Sequence, residues 1–200
     1  NGPLDAEGNP QGYWNGVLSK EYDKILDDSS LSAIEYMGTA NPKKFASLVL
    51  ALKWKSFSAA VYLNGRFRYF VRIPALNYSY LETQENIITK AFHNRWQKPG
   101  DEYKTSVPSL GLYEPSRDRF YALSTEHVVP GDHIRLQYIQ VSWSPKRNLA
   151  FLHVKKLELS VTLSNIKVLW RANNQQIDPN VPIGLYPEPK TVTFGLNMHF

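Results

Sequence analysis

Apolar and polar residues alternate with a period of two along five stretches of the chain. That pattern predicts β-strands with one apolar and one polar face. Over 45–54, Leu48, Leu50, Leu52 and Trp54 fall opposite Ser47, Val49, Ala51 and Lys53. Over 56–72, Phe57, Ala59, Val61, Leu63, Phe67 and Tyr69 oppose Ser58, Ala60, Tyr62, Asn64, Arg66 and Arg68. Over 132–144, Ile134 and Leu136 alternate with Arg135 and Gln137; the phase slips at Tyr138-Ile139 and resumes through Val141 and Trp143. Over 157–170, Leu157, Leu159, Val161 and Leu163 oppose Glu158, Ser160, Thr162 and Ser164, slip at Asn165, and continue as Ile166, Val168 and Trp170. A slip of one residue is what a β-bulge produces. The last stretch, 190–200, sets Val192, Phe194, Leu196, Met198 and Phe200 against Thr191, Thr193, Gly195, Asn197 and His199.

The links between these stretches alternate in length. Lys55-Ser56 is a tight turn, 73–131 is long, 144–156 is shorter, and 171–189 is long again. An up-and-down sheet with one elaborated rim has this signature, as transmembrane barrels do. Within the long link, ENIITKAFHNRWQ (85–97) places Ile88, Phe92 and Trp96 at helical spacing before Pro99-Gly100. Trp54 and Trp143 close strands at one rim. Trp170 closes one at the other, near Phe67, Tyr69 and Phe70, as aromatic girdles do at two lipid–water interfaces. Tryptophans capping strands inside a β-sandwich would give the same pattern, so the sheet leaves two readings open.

Composition narrows the choice only a little. The 200 residues suffice for one ordinary domain, and the mean hydropathy of −0.39 would pass for a soluble chain. A barrel strand has the same average, because its apolar residues alternate with polar ones. The net charge of +5 comes from scattered Lys and Arg rather than a block, which argues against nucleic acid. With no cysteine, the chain has no disulfide, thiolate nucleophile or Cys-held metal. NGPLDAEGNPQG is polar and turn-forming, not a signal peptide, so any export address is expected upstream. A bulky apolar Phe200 closing a fully alternating strand favours the membrane reading over the soluble one.

Several longer stretches carry a family resemblance: LDAEGNPQGYWNG, GTANPKKFASLVLALKWKSFSAAVYL, RWQKPGDEYKTSVPS, GDHIRLQYIQVSW, LWRANNQQIDPNVP and YPEPKTVTFGLNMHF. In order and spacing they resemble the C-terminal part of the SusC/RagA family of TonB-dependent transporters of the Bacteroidetes outer membrane. Glu188 and Lys190 stand where that family more often has Pro and Arg, and Val192 replaces a more usual aromatic. The resemblance implies an all-β fold: about five C-terminal strands of an antiparallel transmembrane β-barrel of about 22 strands, with long extracellular loops. Residues 1–44 would be a loop region leading into the barrel, and 45–200 the strands with loops 73–131 and 171–189. The last strand would end in the periplasm.

The resemblance also implies partners. They are the N-terminal barrel and plug of the same transporter, a SusD-like surface lipoprotein as lid, the TonB complex, the barrel-assembly machinery and outer-membrane lipid. Phe194, Leu196, Met198 and Phe200 would form the barrel-assembly signal. Import of glycans or peptides is then the expected role. A non-transporting scaffold subunit, or a soluble carbohydrate-binding β-sandwich, are the alternatives.

Catalytic and metal chemistry finds little support. Asp5, Glu7 and Asn9 resemble the start of a calcium loop, but its twelfth position is Gly16 rather than Glu. His93, His127, His133, His153 and His199 lack ligand spacing. The pairs Asp27-Asp28 and Asp101-Glu102 read as solvated turns rather than a glycosidase pair. No hydrolase, phosphate-loop or dinucleotide motif occurs, so neither enzyme activity nor a cofactor is expected. Trp96, Tyr103, Tyr113 and Tyr121 could stack on sugars or simply pack loops. Arg66 and Arg68 could line a lumen or meet a plug carboxylate.

Overall fold

The computed structural model describes residues 2–30, 34–76, 78, 90–111, 114–145, 154–175, 177–181 and 185–200. In chain order its elements are β1 (Gly12–Trp14), β2 (Val17–Ser19), α1 (Tyr22–Asp27), β3 (Lys44–Trp54), β4 (Phe57–Phe67), β5 (Phe70–Arg72), α2 (Lys90–His93), α3 (Pro115–Leu123), β6 (Val128–Pro130), β7 (His133–Trp143), β8 (Lys156–Arg171) and β9 (Thr191–His199). The protein is mostly β-strand with few short helices, and its paired strands are antiparallel. It divides into two units, Asn1–Gly38 with Arg72–Val129 and Thr39–Val71 with Pro130–Phe200.

The second unit is built on one open antiparallel sheet in the order β3-β4-β7-β8-β9. Its two edges are β3 and β9. Register carries the alternation of single strands into two dimensions. Trp54, Phe57, Trp143, Leu159 and Leu196 lie side by side across all five strands. So do Leu52, Ala59, Val141, Val161 and Phe194, and so do Leu50, Val61, Ile139, Leu163 and Val192. On the opposite face run Lys53, Ser58, Ser142, Ser160 and Gly195, and then Ala51, Ala60, Gln140, Thr162 and Thr193. Two irregularities fall where the sequence changes phase. A third, where Ile134 pairs with Trp170 but Arg135 with Val168, was not foreseen and moves Val168 from the apolar row to the side of Arg135. Tyr62 pairs with Tyr138 but Leu63 with Leu136, which leaves Gln137 over as the bulged residue of β7. Asn165 of β8 has φ 54°, the left-handed region that Asn tolerates better than β-branched residues do.

Two features of the sequence reading are corrected here. The stretch 56–72 does not run as one strand: β4 ends at Phe67 because Arg68 turns left-handed (φ 61°). Asp132 holds that turn, accepting the N–H groups of Arg68 at 2.8 Å and Tyr69 at 3.4 Å. Tyr69 therefore leaves the apolar face and is buried, its hydroxyl 3.1 Å from His133 Nδ1. The expected rim cluster reduces to Phe67 and Trp170, whose rings lie 6.5 Å apart. The helix read over 85–97 lies outside the described residues for 85–89; the described part holds only the short α2.

The first unit gathers the N-terminal segment with most of the long link, which the sequence reading kept apart as 1–44 and 73–131. β1 and β2 form a hairpin whose central residues Asn15 and Gly16 both have positive φ, as a type I′ turn requires. Its core is polar in an unusual proportion. Tyr22 donates to the carbonyl of Pro10 at 2.8 Å and Tyr78 to that of Pro108, and both prolines are fully buried. Burial pushes both phenols up to about 12. Arg117, 3% exposed, donates to Ser109 O at 2.8 Å, Ser109 Oγ at 3.3 Å and Gly8 O at 3.4 Å.

Candidate functional site

Two surfaces of the sheet unit stand out once its rows are traced. The apolar one is bare: Leu50 is 55% exposed, Leu159 41% and Phe194 79%. Among the described residues of this unit, every helix or strand belongs to the sheet or to the ends of β5 and β6, so no second layer stacks on those rows. A β-sandwich would need such a layer over its inner face. Aromatic rings bound the apolar rows at both ends: Trp54, Phe57 and Trp143 at one, Phe67 and Trp170 at the other. Gly65 of β4 makes room for the Phe67 ring, since a Cβ there would lie 2.7 Å from it.

Phe194, Leu196 and Met198 project from β9 on this face, all exposed, and Phe200 follows the strand at 74% exposure. The end of β9 is tied down by Lys155, whose N–H donates to His199 O at 2.7 Å and whose Nζ reaches Phe200 O at 3.2 Å.

The polar face carries a different chemistry. Arg66, His133 and Arg171 are opposite one another across β4, β7 and β8, with Arg135 two residues along from His133. A cavity of about 380 Å³ opens there, lined by Arg66, Arg135, Gln137, Asn165, Asp178 and Asn180 among others. Arg135 forms an ion pair with Asp178, and Arg66 Nη1 donates to Asn180 Oδ1 at 3.2 Å. Burial would raise the Asp178 carboxyl; the Arg135 guanidinium and the Asn180 N–H outweigh it and hold the group below the usual carboxylate range. His133 is completely buried, and its Nδ1 lies 2.9 Å from the carbonyl of Gly131. A carbonyl only accepts, so Nδ1 carries the hydrogen and Nε2 is left without a partner. Tyr62 and Tyr138 stack further along the same face with centroids 5.2 Å apart.

Of the two arginines singled out from sequence, Arg66 is in this cavity and Arg68 is exposed at the turn that ends β4. Arg135 takes the second place. Its alternation with Ile134 and Leu136 put it on the polar face, but nothing in the sequence joined it to Asp178, which comes from the long link 171–189.

The loop aromatics separate as well. Trp96 is a brace: its indole N–H donates to Glu102 Oε2 at 2.9 Å, and its ring packs where a Cβ on Gly8 would come within 2.5 Å. Asp101 accepts the N–H groups of Gln97 at 3.3 Å and Lys98 at 3.1 Å, so RWQKPGDEYKTS folds on itself. Tyr121 is buried edge-on against His127, with centroids 4.5 Å apart. Tyr103 is 89% exposed, and Tyr113 lies outside the described residues.

In the loop once compared with a calcium site, Asp5 accepts the N–H groups of Glu7 at 2.9 Å and Asn9 at 2.7 Å and meets Lys20 Nζ at 2.8 Å. The Lys20 ammonium thus neutralises the Asp5 carboxylate. Asp28 accepts the N–H of Ser30 at 2.9 Å, a turn contact. Among the described residues no three of His, Asp and Glu converge as metal ligands would. His153 is outside them.

The fold is similar to part of RagAB. A chain in a structure of the RagAB peptide importer in its open-open state aligns with a TM-score of 0.61 at 15% identity, over 100% of this chain and 21% of that one. A chain in a structure of the RagAB peptide transporter aligns with a TM-score of 0.61 at 17% identity, over 98% and 22%. This chain thus spans about a fifth of the length of those chains. No protein-family model and no curated protein matches the sequence.

Proposed function

We propose that this chain is the C-terminal barrel segment of a SusC-like, TonB-dependent outer-membrane transporter that imports peptides or glycans beneath a SusD-like lipoprotein lid. The observation that carries the proposal is the bare apolar face, three rows deep across five strands and edged by aromatic rings. β3, β4 and β7 have 11 residues each. At about 3.3 Å per residue such a strand is roughly 33 Å long. Tilted by about 40°, it spans about 25 Å, the height of the apolar band of an outer-membrane barrel.

An open sheet cannot stand in hydrocarbon, because its edge N–H and C=O groups would have no partners. β3 and β9 would therefore each pair with further strands of the same transporter, β9 closing the barrel. Phe194, Leu196, Met198 and Phe200 would serve first as the signal read by the assembly machinery and then as lipid-facing wall. With β9 ending in the periplasm, the β3–β4 turn at Lys55-Ser56 is also periplasmic. The Arg66 end of β4 and residues 171–189 then lie toward the outside. The fold likeness to the RagAB peptide importer supports the transporter class and makes peptides the favoured cargo.

Site-directed fluorescence in the full-length protein, reconstituted with brominated lipid, tests the reading. The chain has no cysteine of its own to interfere. Probes on cysteines at Leu50 and Val61 should be quenched. Probes at Ala60 and Gln140, on the other face, should escape quenching and react with a water-soluble maleimide. Equal behaviour of the two sets would overturn the membrane assignment.

A further inference from the structure

The cavity on the polar face holds two guanidiniums and an unequal supply of acceptors. One turn serves both: Asp178 meets Arg135, and Asn180, two residues on, meets Arg66. The turn is fixed by its own bonds, Asn180 N–H to Asp178 Oδ1 at 3.0 Å and Val181 N–H to Asp178 O at 3.1 Å. Arg135 is thus matched by a carboxylate, whereas Arg66 is matched only by a neutral amide. Glu188 also lines the cavity, but it is exposed and forms no hydrogen bond or ion pair with either arginine. The Nε atoms of Arg66 and Arg135 are both buried without an acceptor. Buried donors in folded proteins are satisfied in the great majority of cases, and a guanidinium offers a planar fork suited to a carboxylate.

We propose that Arg66 and Arg135, held by the Asp178–Asn180 turn, form a carboxylate-binding site in which Arg66 is the principal contact. The incoming anion takes free N–H donors of Arg66, and the Asn180 amide swings aside or shares them. Gln137 and Asn165, joined by a side-chain bond at 3.4 Å, supply neutral polar wall. A cavity of about 380 Å³ accommodates a terminal carboxylate with part of one residue, or an acidic side chain, and not a whole oligopeptide. This rests on the transporter reading for its substrate: the carboxylate belongs either to a transported peptide or to the rest of the transporter, its plug above all.

The test uses the full-length protein in detergent and a fluorescent tetrapeptide prepared with a free C-terminal carboxylate and as its amide. If the peptide is the source, the wild type binds the acid about tenfold more tightly than the amide, and Arg66→Gln binds both with the amide's affinity. If the plug is the source, the acid-to-amide ratio is unchanged. Arg66→Gln then lowers the melting temperature and exposes the plug to protease further than Asn180→Ala, which removes only the Arg66–Asn180 bond. Either result supports the site. An unchanged ratio together with a melting temperature no lower than that of Asn180→Ala overturns it. Failure of the transporter reading looks different: the wild type binds neither peptide and the brominated-lipid quenching is absent, whatever Arg66→Gln does to stability.

Discussion

The two units solve the burial problem in opposite ways. The first hides tyrosines, prolines and an arginine inside a small core and ties them to backbone carbonyls, so its stability comes from contacts within itself. The second leaves Leu50, Leu52, Val141, Leu159, Val161 and Phe194 uncovered along a single sheet. A soluble monomer rarely exposes a continuous apolar patch of that extent, so what stabilises those rows must come from outside the unit. The lesson is that one hydropathy average hides both arrangements, and that the place where apolar side chains end up separates a fold that covers its own core from one whose apolar surface is left to be covered from outside.

The sharpest way to break this contrast is to charge the bare face. An arginine near the middle of a bilayer costs roughly 2–4 kcal/mol at a lipid-facing barrel position. The double substitution Val61→Arg with Leu163→Arg, both in the row furthest from the Trp54–Trp143 edge, should therefore abolish recovery of folded, protease-resistant protein from outer-membrane fractions. Ala60→Arg, one residue along on the polar face, should leave recovery close to wild type. Equal damage from the two would show that the faces do not differ.

In the first unit the largest effect is expected at Arg117. Arg117→Met keeps much of the volume but strips the donor from Gly8 O, Ser109 O and Ser109 Oγ, all in a buried setting. Gly8 O keeps the Ser109 N–H at 2.8 Å, so two acceptors are orphaned; at about 1–3 kcal/mol each, a total of about 3 kcal/mol is a fair expectation. The loss should be local. Hydrogen exchange would quicken through the first unit while the amides of β4 and β7 keep their protection.

These two predictions also mark what was legible in the sequence. Alternation in single strands was enough to foresee the apolar rows, because a period of two fixes which side of a sheet each residue takes. The phase slips at Tyr138 and Asn165 located two irregularities for the same reason, but the one between Trp170 and Val168 left no slip in the pattern. The course of Arg68 and Tyr69 was hidden: the alternation ran on through them, and only the Asp132 carboxylate, far away in sequence, ends the strand. The first unit was largely illegible, since bonds from Arg117, Tyr22 and Tyr78 to distant carbonyls leave no periodic trace. In the cavity, the alternation put Arg66 on the polar face together with Arg68 and did not single it out, whereas Asp178 and Asn180 come from a link with no regular pattern.

Glycine offers a finer probe of the self-contained unit. Gly8 and Gly16 both have φ near 80°, and a Cβ in that region costs about 1–2 kcal/mol. They differ in surroundings: a Cβ at Gly8 would lie 2.5 Å from the Trp96 ring and 2.8 Å from Ser109 Cβ, whereas nothing stands within 4 Å at Gly16. Gly8→Ala should thus destabilise by about 2 kcal/mol or more and Gly16→Ala by about 1 kcal/mol, measured as the rate of proteolysis within 1–38. Equal sensitivity would mean that the Trp96 brace contributes nothing beyond backbone strain.

The smallest expected effect is a difference in acid sensitivity. The Trp96 indole N–H, with the Gly100 N–H, holds the Glu102 carboxyl below the usual range. At Asp5, burial pushes upward, but the Lys20 ammonium and the N–H groups of Asn9 and Glu7 prevail and lower it. A carboxyl whose folded pKa is depressed contributes stability above its unfolded value, about 4, and loses that contribution as pH falls through the folded value. The first unit should therefore loosen as pH drops below about 4, with Trp96 fluorescence and proteolysis of 94–107 as readouts. Asp5→Asn with Glu102→Gln should flatten that dependence at the cost of some stability at neutral pH. The three apolar rows of the sheet contain no carboxylate, so the brominated-lipid quenching at Leu50 and Val61 should persist through the same range. Quenching lost in step with the first unit would mean that the two units respond to acid as one, and that their separate modes of burial do not make them separately stable.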